Sequence, residues 1–275
     1  MPRVHDVAIV GCGPAGISAA LQLRRAGIDP LVFEARQVGG LLNNAYLVEN
    51  YPGFPDGISG AGLVKKFQKH LKKWNIKVRM KKVDAINKQR NYYLLSAGRT
   101  YCCRFVVYAA GTRPRMHSVG LKAARKYIVY DVVSLGRVRG KHIVIIGAGD
   151  AAFDYALGLG ERNLVTILNR TRKTKGLGLL FDRLHKGVYR KNVRYMENTR
   201  IISIKNSTAD KEFNVIVRAR SGNQTRDMHC HFVLAALGRE PELEGLSKGL
   251  KRMHPESTRN FLFVGDVKNG DARQT

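Results

Sequence analysis

The fold is decided by Val7-Ala8-Ile9-Val10-Gly11-Cys12-Gly13-Pro14-Ala15-Gly16, an apolar run that leads directly into a glycine-rich turn. The run has the composition of a buried strand, and helix-forming residues follow the turn. In the pattern G-x-G-x-x-G, Gly11 permits a tight turn and Gly13 lets the backbone approach a pyrophosphate. Gly16 allows the helix to pack closely on the strand. The stretch therefore predicts a dinucleotide-binding strand–turn–helix unit.

The same pattern returns at Gly147-Ala148-Gly149-Asp150-Ala151-Ala152, after the apolar run Ile143-Val144-Ile145-Ile146. Ala152 takes the third glycine position, which the pattern allows. Two such units in 275 residues predict an α/β protein with two Rossmann-like dinucleotide-binding domains. A Rossmann-like unit that binds no nucleotide stays open as the alternative for each, because glycine-rich turns also arise from packing alone.

The two units differ in the residue that follows their second strand, at the same offset from the first glycine. In the first unit this residue is Glu34, and in the second it is Arg170. A carboxylate at this place accepts hydrogen bonds from a ribose diol, whereas a guanidinium suits a 2′-phosphate. The first unit is therefore predicted to bind FAD and the second NADPH, with hydride passing from NADPH to FAD. A solvated arginine in a basic loop is the alternative for Arg170.

Composition fits an α/β enzyme, with 44% hydrophobic residues and 28 glycines. No apolar run is long enough to cross a bilayer, and the chain enters a strand almost at once, so neither a membrane span nor a signal peptide is expected. The four cysteines have no metal-binding spacing. Cys12 and Cys230 are expected to be buried, and Cys102 and Cys103 to be reduced thiols on a strand. A reducing cytoplasm is the expected location.

The formal net charge is +27, which is large enough to influence encounters with partners. An acidic protein partner and a merely solvated surface both account for it, and nucleic acid is disfavoured because no nucleic-acid-binding motif is found. The basic residues form three groups: Lys65, Lys66, Lys69, Lys72, Lys73, Lys77, Arg79, Lys81 and Lys82; Arg170, Arg172, Lys173 and Lys175; and Arg183, Lys186, Arg190, Lys191 and Arg194. Between the glycine turn and the first group, the segment from Gly39 to Gly62 is rich in glycine and proline, which predicts a functional loop without regular structure.

In their order along the chain, these landmarks resemble the low-molecular-weight thioredoxin reductase family of flavoproteins with two dinucleotide-binding domains. The resemblance extends over essentially the whole chain. It implies an FAD domain of residues 1–115 and 235–275, with an NADPH domain of residues 116–234 inserted into it, and a tendency to form homodimers. The matching segments are 11–16, 34, 39–41, 48–55, 110–114, 147–152, 236–241 and 265–267.

The resemblance also implies which residues bind each cofactor. Asp266 corresponds to the aspartate that contacts the FAD ribityl chain, although a turn or helix-capping aspartate is the alternative, and Arg273 and Gln274 correspond to the pair beside the isoalloxazine ring. The residues implied for FAD are Gly11, Gly13, Pro14, Ala15, Gly16, Glu34, Gly40, Leu41, Asn50, Ala110, Gly111, Asp266, Arg273 and Gln274. Those implied for NADPH are Gly147, Gly149, Asp150, Ala151, Arg170, Arg172 and Lys175.

The sequence departs from the thioredoxin reductases at the place of their redox C-x-x-C, which here is Tyr130-Asp131-Val132-Val133. Electron transfer from flavin to a disulfide by that route is excluded. The segment from Gly149 to Ala156 looks like the disulfide-free, thioredoxin-reductase-like ferredoxin–NADP reductases. These imply an acidic electron carrier, ferredoxin or flavodoxin, as partner. A reductase of another acceptor and a non-catalytic flavin-binding redox sensor stay open as alternatives.

The flavin is expected to carry the chemistry, so no catalytic acid or base is assigned. His5, His117, His142 and His185 are expected to be surface residues or hydrogen-bonded ones. The family continues with a helix that faces the flavin, whereas this sequence stops at Thr275, and a fragment of a longer chain is expected.

Overall fold

The computed structural model describes residues 3–115, 124–207 and 212–269. The helices are α1 (Pro14–Arg25), α2 (Gly60–Lys73), α3 (Asp150–Gly160), α4 (Gly178–Leu184), α5 (Tyr189–Asn192), α6 (Lys248–Met253) and α7 (Asp266–Asn269), with 3-10 helices at Gly40–Asn44, Arg125–Tyr127 and Val133–Leu135. The strands are β1 (Val4–Val10), β2 (Leu31–Glu34), β3 (Val78–Met80), β4 (Ala85–Lys88), β5 (Tyr93–Ser96), β6 (Thr100–Tyr108), β7 (Thr112–Pro114), β8 (Ile128–Val129), β9 (His142–Ile146), β10 (Leu164–Leu168), β11 (Val193–Met196), β12 (Thr199–Asn206), β13 (Val215–Ser221), β14 (Gln224–Cys230), β15 (Phe232–Ala235), β16 (Arg239–Pro241) and β17 (Phe261–Phe263).

The first sheet has the strand order β3-β2-β1-β6-β5-β4, and β17 pairs with β6. Strands β1, β2, β3, β6 and β17 are parallel, whereas β4 and β5 form an antiparallel extension. Because β17 comes from near the end of the chain, this sheet combines segments that are far apart in sequence. Its core includes the fully buried rings of Phe33, Tyr93, Phe261 and Phe263. The sheet and its helices are called the first unit below.

The second sheet has the order β11-β10-β9-β15-β8, and all of its strands are parallel. Helix α3 packs on it through buried apolar residues such as Phe153 and Leu157, and the antiparallel sheet β12-β13-β14 covers the opposite side. These elements form the second unit. The short pair β7-β16 lies where the chain passes between the units. The predicted α/β class with two Rossmann-like units is confirmed.

The segment after Gly39 differs from the prediction of an irregular loop, which was wrong here. Residues Gly40–Asn44 form a 3-10 helix, and Val48 pairs with Ile58 in a short antiparallel bridge. The helix is possible because Asn43 Nδ2 donates to the backbone oxygens of Val38 and Gly40, both at 3.0 Å, and so fixes the turn that precedes it.

The cysteines behave as predicted: all four are free and buried. Cys102 and Cys103 lie next to each other on β6, in the middle of the first sheet. No helix in the described ranges is long and apolar enough to cross a membrane.

Candidate functional site

The first glycine turn is closed on its sheet side and open on the other. Gly11 has φ +101°, and a Cβ there would lie 2.2 Å from the carbonyl oxygen of Ala109. A Cβ on Gly16 would lie 2.0 Å from the carbonyl oxygen of Gly11, so the helix can approach the strand only with glycine here. At Gly13 a Cβ would meet nothing within 4 Å. The open side, above the N-terminus of α1, has the form of a phosphate cradle.

Glu34 ends β2 beside this turn and is only 8% exposed. Its Oε2 accepts the backbone N–H of Cys12 at 2.8 Å, and its Oε1 accepts that of Arg36, also at 2.8 Å. The two bonds fix the carboxylate plane but leave lone pairs on both oxygens. This arrangement fits recognition of a ribose diol. Burial, and to a lesser extent Glu34, raises the pKa of the Cys12 thiol to about 12, so that side chain serves packing.

The 3-10 helix Gly40–Asn44 begins directly over the glycine turn. A Cβ on Gly40 would come within 3.4 Å of Gly13 Cα, and the N–H of Gly39 donates to Cys12 O at 2.8 Å. Gly40 therefore lies beside the glycine turn, and Leu41 follows it in the 3-10 helix. Asn50, by contrast, is exposed in the loop beyond. The buried asparagine of this region is Asn44, which the sequence analysis did not single out.

The same edge of the first sheet also collects Ala110, Gly111 and Asp266, three further residues predicted for FAD. Ala110 and Gly111 follow β6, and a Cβ on Gly111 would meet no atom within 4 Å. Asp266 is half-buried at the first turn of α7, and a Cβ on the preceding Gly265 would lie 2.7 Å from the Cβ of Ala15 on α1. Burial raises the pKa of Asp266, and Arg239 opposes that rise. Arg273 and Gln274 lie outside the described residues.

Arg239 is a candidate site residue near Asp266 that the sequence did not indicate. It donates from Nη2 to Thr112 O at 2.7 Å and from Nε to Thr112 Oγ1 at 2.9 Å. Desolvation lowers the pKa of this guanidinium, against the electrostatic influence of nearby Tyr155 and Asp131. The signal available in the sequence was the Gly238-Arg239-Glu240-Pro241 run, which matched the family without indicating a role.

The second glycine turn repeats the geometry of the first. Gly147 has φ +112°, and a Cβ on it would lie 2.2 Å from Ala236 O, whereas the space at Gly149 is open. Asp150 begins α3, with Ala151 next to it, and Asp150 Oδ1 accepts the N–H of Leu177 at 2.7 Å. Thr174 Oγ1 donates to Ala148 O at 2.7 Å. The loop after β10 is thereby held across the turn.

That loop carries the basic residues predicted for the 2′-phosphate. Asn169, 6% exposed, shapes it: Nδ2 donates to Tyr195 Oη at 2.7 Å and to Lys173 O at 3.2 Å. Its Oδ1 accepts the N–H of Thr171 at 3.3 Å. At the carboxyl end of β10 the turn exposes the three basic side chains predicted for NADPH, Arg170, Arg172 and Lys175, together with Lys173. No described carboxylate forms an ion pair with any of them, so their charge is available to an anion.

Comparison with known proteins agrees with this geometry. The family model of the pyridine nucleotide-disulphide oxidoreductases matches residues 5–261. The chain is 30% identical over 246 residues to a thioredoxin reductase of Mycolicibacterium smegmatis, covering 88% of this chain and 78% of that protein. It is 26% identical over 294 residues to NADPH-dependent thioredoxin reductase 3 of Arabidopsis thaliana, with 98% of this chain but only 55% of that protein covered. The solved structure of Lactococcus lactis thioredoxin reductase in its FR conformation superposes with a TM-score of 0.85 at 23% identity, covering 98% and 92% of the two chains.

The chain belongs to the pyridine nucleotide-disulphide oxidoreductase family. Within it the chain is thioredoxin-reductase-like, and the cofactors of that group are FAD and NADPH. The open glycine cradles and the different groups at Glu34 and Arg170 fit these two cofactors. The predicted resemblance and cofactors are confirmed, while the residue assignments and domain boundaries stay predictions.

Replacing Arg170 by glutamate is expected to weaken the preference for NADPH over NADH. Charged hydrogen bonds contribute about 1.5–3 kcal/mol, so the ratio of kcat/KM values for the two nucleotides is expected to fall roughly 10- to 100-fold. Arg220→Glu is the control, since it makes the same charge change at an exposed site on β13. Steady-state kinetics with each nucleotide measures the ratio, and an unchanged ratio in Arg170→Glu would remove this residue from the phosphate site.

Proposed function

We propose that the chain transfers hydride from NADPH to FAD and passes the electrons to an acidic carrier protein, a ferredoxin or a flavodoxin. The observation that carries the proposal is the segment Tyr130–Val133, at the place of the redox C-x-x-C. Here it forms a turn capped by Asp131, whose Oδ1 accepts from Ser134 N at 2.9 Å and from Ser134 Oγ at 2.6 Å. This turn carries the Asp131 carboxylate and no cysteine, so the segment has no disulfide that could accept electrons from the flavin.

The four cysteines do not offer a substitute route. All of them are at most 2% exposed. Burial raises the pKa of Cys12, Cys103 and Cys230 to about 12, and it raises that of Cys102 as well. Because the thiolate is the reactive form, none of these thiols is suited to exchange with a partner disulfide. Direct electron transfer from the flavin is therefore favoured.

The surface charge supports an acidic partner. Helix α2 buries Leu63, Val64 and Leu71, and its lysines lie on the opposite, exposed face. No carboxylate in the described parts of the chain pairs with these lysines, which are Lys65, Lys66, Lys69, Lys72 and Lys73. An unneutralised basic face attracts acidic proteins and raises their association rate. A solvated surface would carry the same charge, so the acceptor must be tested directly.

The proposal also assigns one cofactor to each unit. Residues 1–115 and 235–275 would hold FAD, and residues 116–234 would hold NADPH. The strand composition of the first sheet supports this division, since β17 joins strands from the beginning of the chain. FAD, when bound, accepts hydride and can release single electrons, which side chains cannot do. The chain's own residues hold and orient the nucleotides and exclude water.

No proton transfer is assigned to histidine: His142 is hydrogen-bonded to His229 O and Thr166 Oγ1, His185 lies beside Phe181 O, and His117 falls outside the described residues.

Anaerobic titration of the FAD-loaded protein with NADPH tests the proposal. The oxidised flavin absorbance is expected to bleach and then to recover when oxidised ferredoxin or flavodoxin is added. Bleaching without recovery would contradict the proposed acceptor, and ferricyanide added last confirms that the reduced flavin remains reactive. No bleaching would contradict hydride delivery and favour a flavin-binding sensor.

A reductase of another acceptor is the second candidate, favoured by relatives named thioredoxin reductase. Such an acceptor would have to take electrons without a C-x-x-C relay in this chain. Recovery of the bleached flavin with oxidised thioredoxin, and none with ferredoxin or flavodoxin, would establish this candidate instead.

A further inference from the structure

One short segment of the first unit, Ala45–Glu49, is inserted against helix α3 of the second unit. Asp154 lies in the middle of α3 and is 4% exposed. Its Oδ2 accepts the backbone N–H of Tyr46 at 2.8 Å, and its Oδ1 accepts that of Leu47 at 3.3 Å. A buried carboxylate thus reaches across the chain to backbone groups more than a hundred residues away in sequence.

Tyr46 fills a notch on the same helix. Its ring lies on Gly158, where a Cβ would come within 2.9 Å of Tyr46 Cδ2. Its hydroxyl donates to Glu161 Oε1 at 2.6 Å and lies 3.1 Å from the hydroxyl of Tyr189 on α5. The residues involved follow the spacing of one helix face, which is i, i+4 and i+7: Asp154 and Gly158 of α3, and Glu161 directly after it.

Two further contacts flank this notch. On one side Arg183 of α4 forms a two-pronged ion pair with Glu49, at 2.6 and 2.8 Å. On the other, Asn44 Oδ1 accepts the N–H of Val133 at 2.9 Å. Paired bonds of this kind have a fixed geometry. From Asn44 to Glu49, the segment is therefore tied to the second unit at several points.

The position of these contacts relates them to both nucleotide cradles. The segment follows directly on the 3-10 helix Gly40–Asn44, whose first residue lies over the glycine turn of the first unit. Asp150 is at the start of α3, beside the glycine turn of the second unit, and Asp154 lies one helical turn later. One rigid helix therefore connects the second cradle to the contact, and one short segment connects the contact to the first.

A rotation of one unit on the other would break the contact at high cost. It would separate the Asp154 carboxylate from the two backbone N–H groups that bond to it, and any of these groups that stayed buried would be costly to leave unpaired. It would also remove Tyr46 from a notch that only glycine leaves open. These contacts therefore lower the free energy of the observed arrangement relative to rotated ones, in addition to what apolar packing between the units provides.

We propose that Tyr46 and Asp154 are positioning residues, which hold the two nucleotide units in the orientation observed here, and that this is the orientation in which NADPH delivers hydride to the flavin. The inference rests on the proposed hydride transfer between the units. Holding two reactants in register can contribute as much to a rate as chemical groups do. The contact touches neither cradle directly, so its loss should change the rate of flavin reduction more than the affinity for nucleotide.

Asp154→Asn is the central variant, because it keeps the shape of the side chain but turns an amide N–H₂ toward a backbone N–H. Tyr46→Phe removes only the hydroxyl bonds and should have a smaller effect of the same kind. Asp182→Asn is the matched control, since Asp182 is an exposed carboxylate of the second unit. Thermal unfolding identifies any variant that fails to fold.

The first readout needs no turnover. Spin labels on Lys69→Cys, in the first unit, and Arg226→Cys, in the second, report the distance between the units in the FAD-loaded protein without NADPH. A single narrow distribution is expected for the parent and for Asp182→Asn, and a broad or shifted one for Asp154→Asn. An unchanged distribution in folded Asp154→Asn would overturn the proposal.

The second readout is the rate of flavin bleaching by NADPH in anaerobic stopped flow, with NADP⁺ affinity measured alongside. In Asp154→Asn the rate is expected to fall at least 10-fold, with NADP⁺ affinity changed less than 2-fold. If Asp154→Asn broadened the distance distribution but left the bleaching rate unchanged, the contact would stabilise the structure only, and its positioning role would be overturned. If NADPH fails to bleach the parent itself, the proposed function fails, whereas the distance measurement still decides whether the contact fixes the units.

Discussion

Alanine in place of Gly11 is expected to weaken FAD binding strongly. Two independent costs arise at this position. The backbone has φ +101°, which alanine adopts only with strain, and the added Cβ would lie 2.2 Å from the carbonyl oxygen of Ala109. That oxygen belongs to backbone directly after β6, which is paired with β1 on one side, so it cannot move away cheaply.

The expected effect is large because the turn is also fixed from the other side. Gly39 N donates to Cys12 O, and Cys12 N donates to Glu34. Overpacking of a fixed core costs typically 1–3 kcal/mol and backbone strain about 1–3 kcal/mol more. Together these costs of about 2–6 kcal/mol predict FAD binding that is weaker by roughly 30-fold or more, measured by quenching of flavin fluorescence on the FAD-free protein.

Gly249→Ala is the matched control for this prediction. Gly249 lies in α6 with no positive φ, and an added Cβ would meet nothing within 4 Å. Alanine in a helix interior is favoured over glycine by about 0.5–1 kcal/mol, so this variant should be neutral or slightly stabilised. If Gly11→Ala bound FAD as tightly as Gly249→Ala, the role of the first turn would be wrong.

The glycine turns could be predicted from the sequence because every element of the signal is local. Strand, turn, helix and the residue after the second strand occur within a few tens of residues, and each glycine is required by the backbone around it. The geometry at Gly11 and Gly147 is accordingly almost the same, with a backbone oxygen at 2.2 Å from the missing Cβ in both. Glu34 was found for the same reason.

Residues whose partners are distant in sequence could not be found in this way. Tyr46 lies in a segment whose composition predicted an irregular loop, and its role depends on Asp154, which belongs to another unit. Arg239 acts through Thr112, again from a distant part of the chain. No local periodicity in the sequence indicates such pairs. Without the tertiary structure, nothing distinguishes Asp154 from the other residues of a mostly apolar helix.

Asn169 illustrates an intermediate case. The basic residues after β10 could be named from the sequence, whereas nothing in the sequence singled out Asn169. Its side chain bonds to Tyr195 on β11 and to the backbone of Lys173. The charges of the loop could be predicted from the sequence, whereas the role of the Asn169 side chain in shaping the loop is evident only from its contacts.

Glutamine in place of Glu34 is expected to weaken FAD binding roughly 10- to 100-fold. The carboxylate accepts one backbone N–H on each oxygen, from Cys12 and from Arg36, and both bonds are 2.8 Å long. An amide has one accepting oxygen, so its N–H₂ group must face one of the two N–H donors. Hydrogen bonds to charged groups contribute about 1.5–3 kcal/mol, and the bond to the ribose diol is weakened in addition.

Glu244→Gln provides the comparison, because Glu244 pairs with Lys82 at the surface with a side chain 60% exposed, and exposed pairs contribute at most about 1 kcal/mol. FAD titration of both variants measures the difference, and NADP⁺ titration should give the parent value in each. A loss of NADP⁺ affinity in Glu34→Gln would mean that the variant disturbs the whole fold. Equal FAD affinity in the two variants would mean that the diol is bound elsewhere. Because the substitution removes charge and an acceptor without removing volume, a selective loss of FAD would assign the first cradle to the flavin nucleotide independently of any turnover.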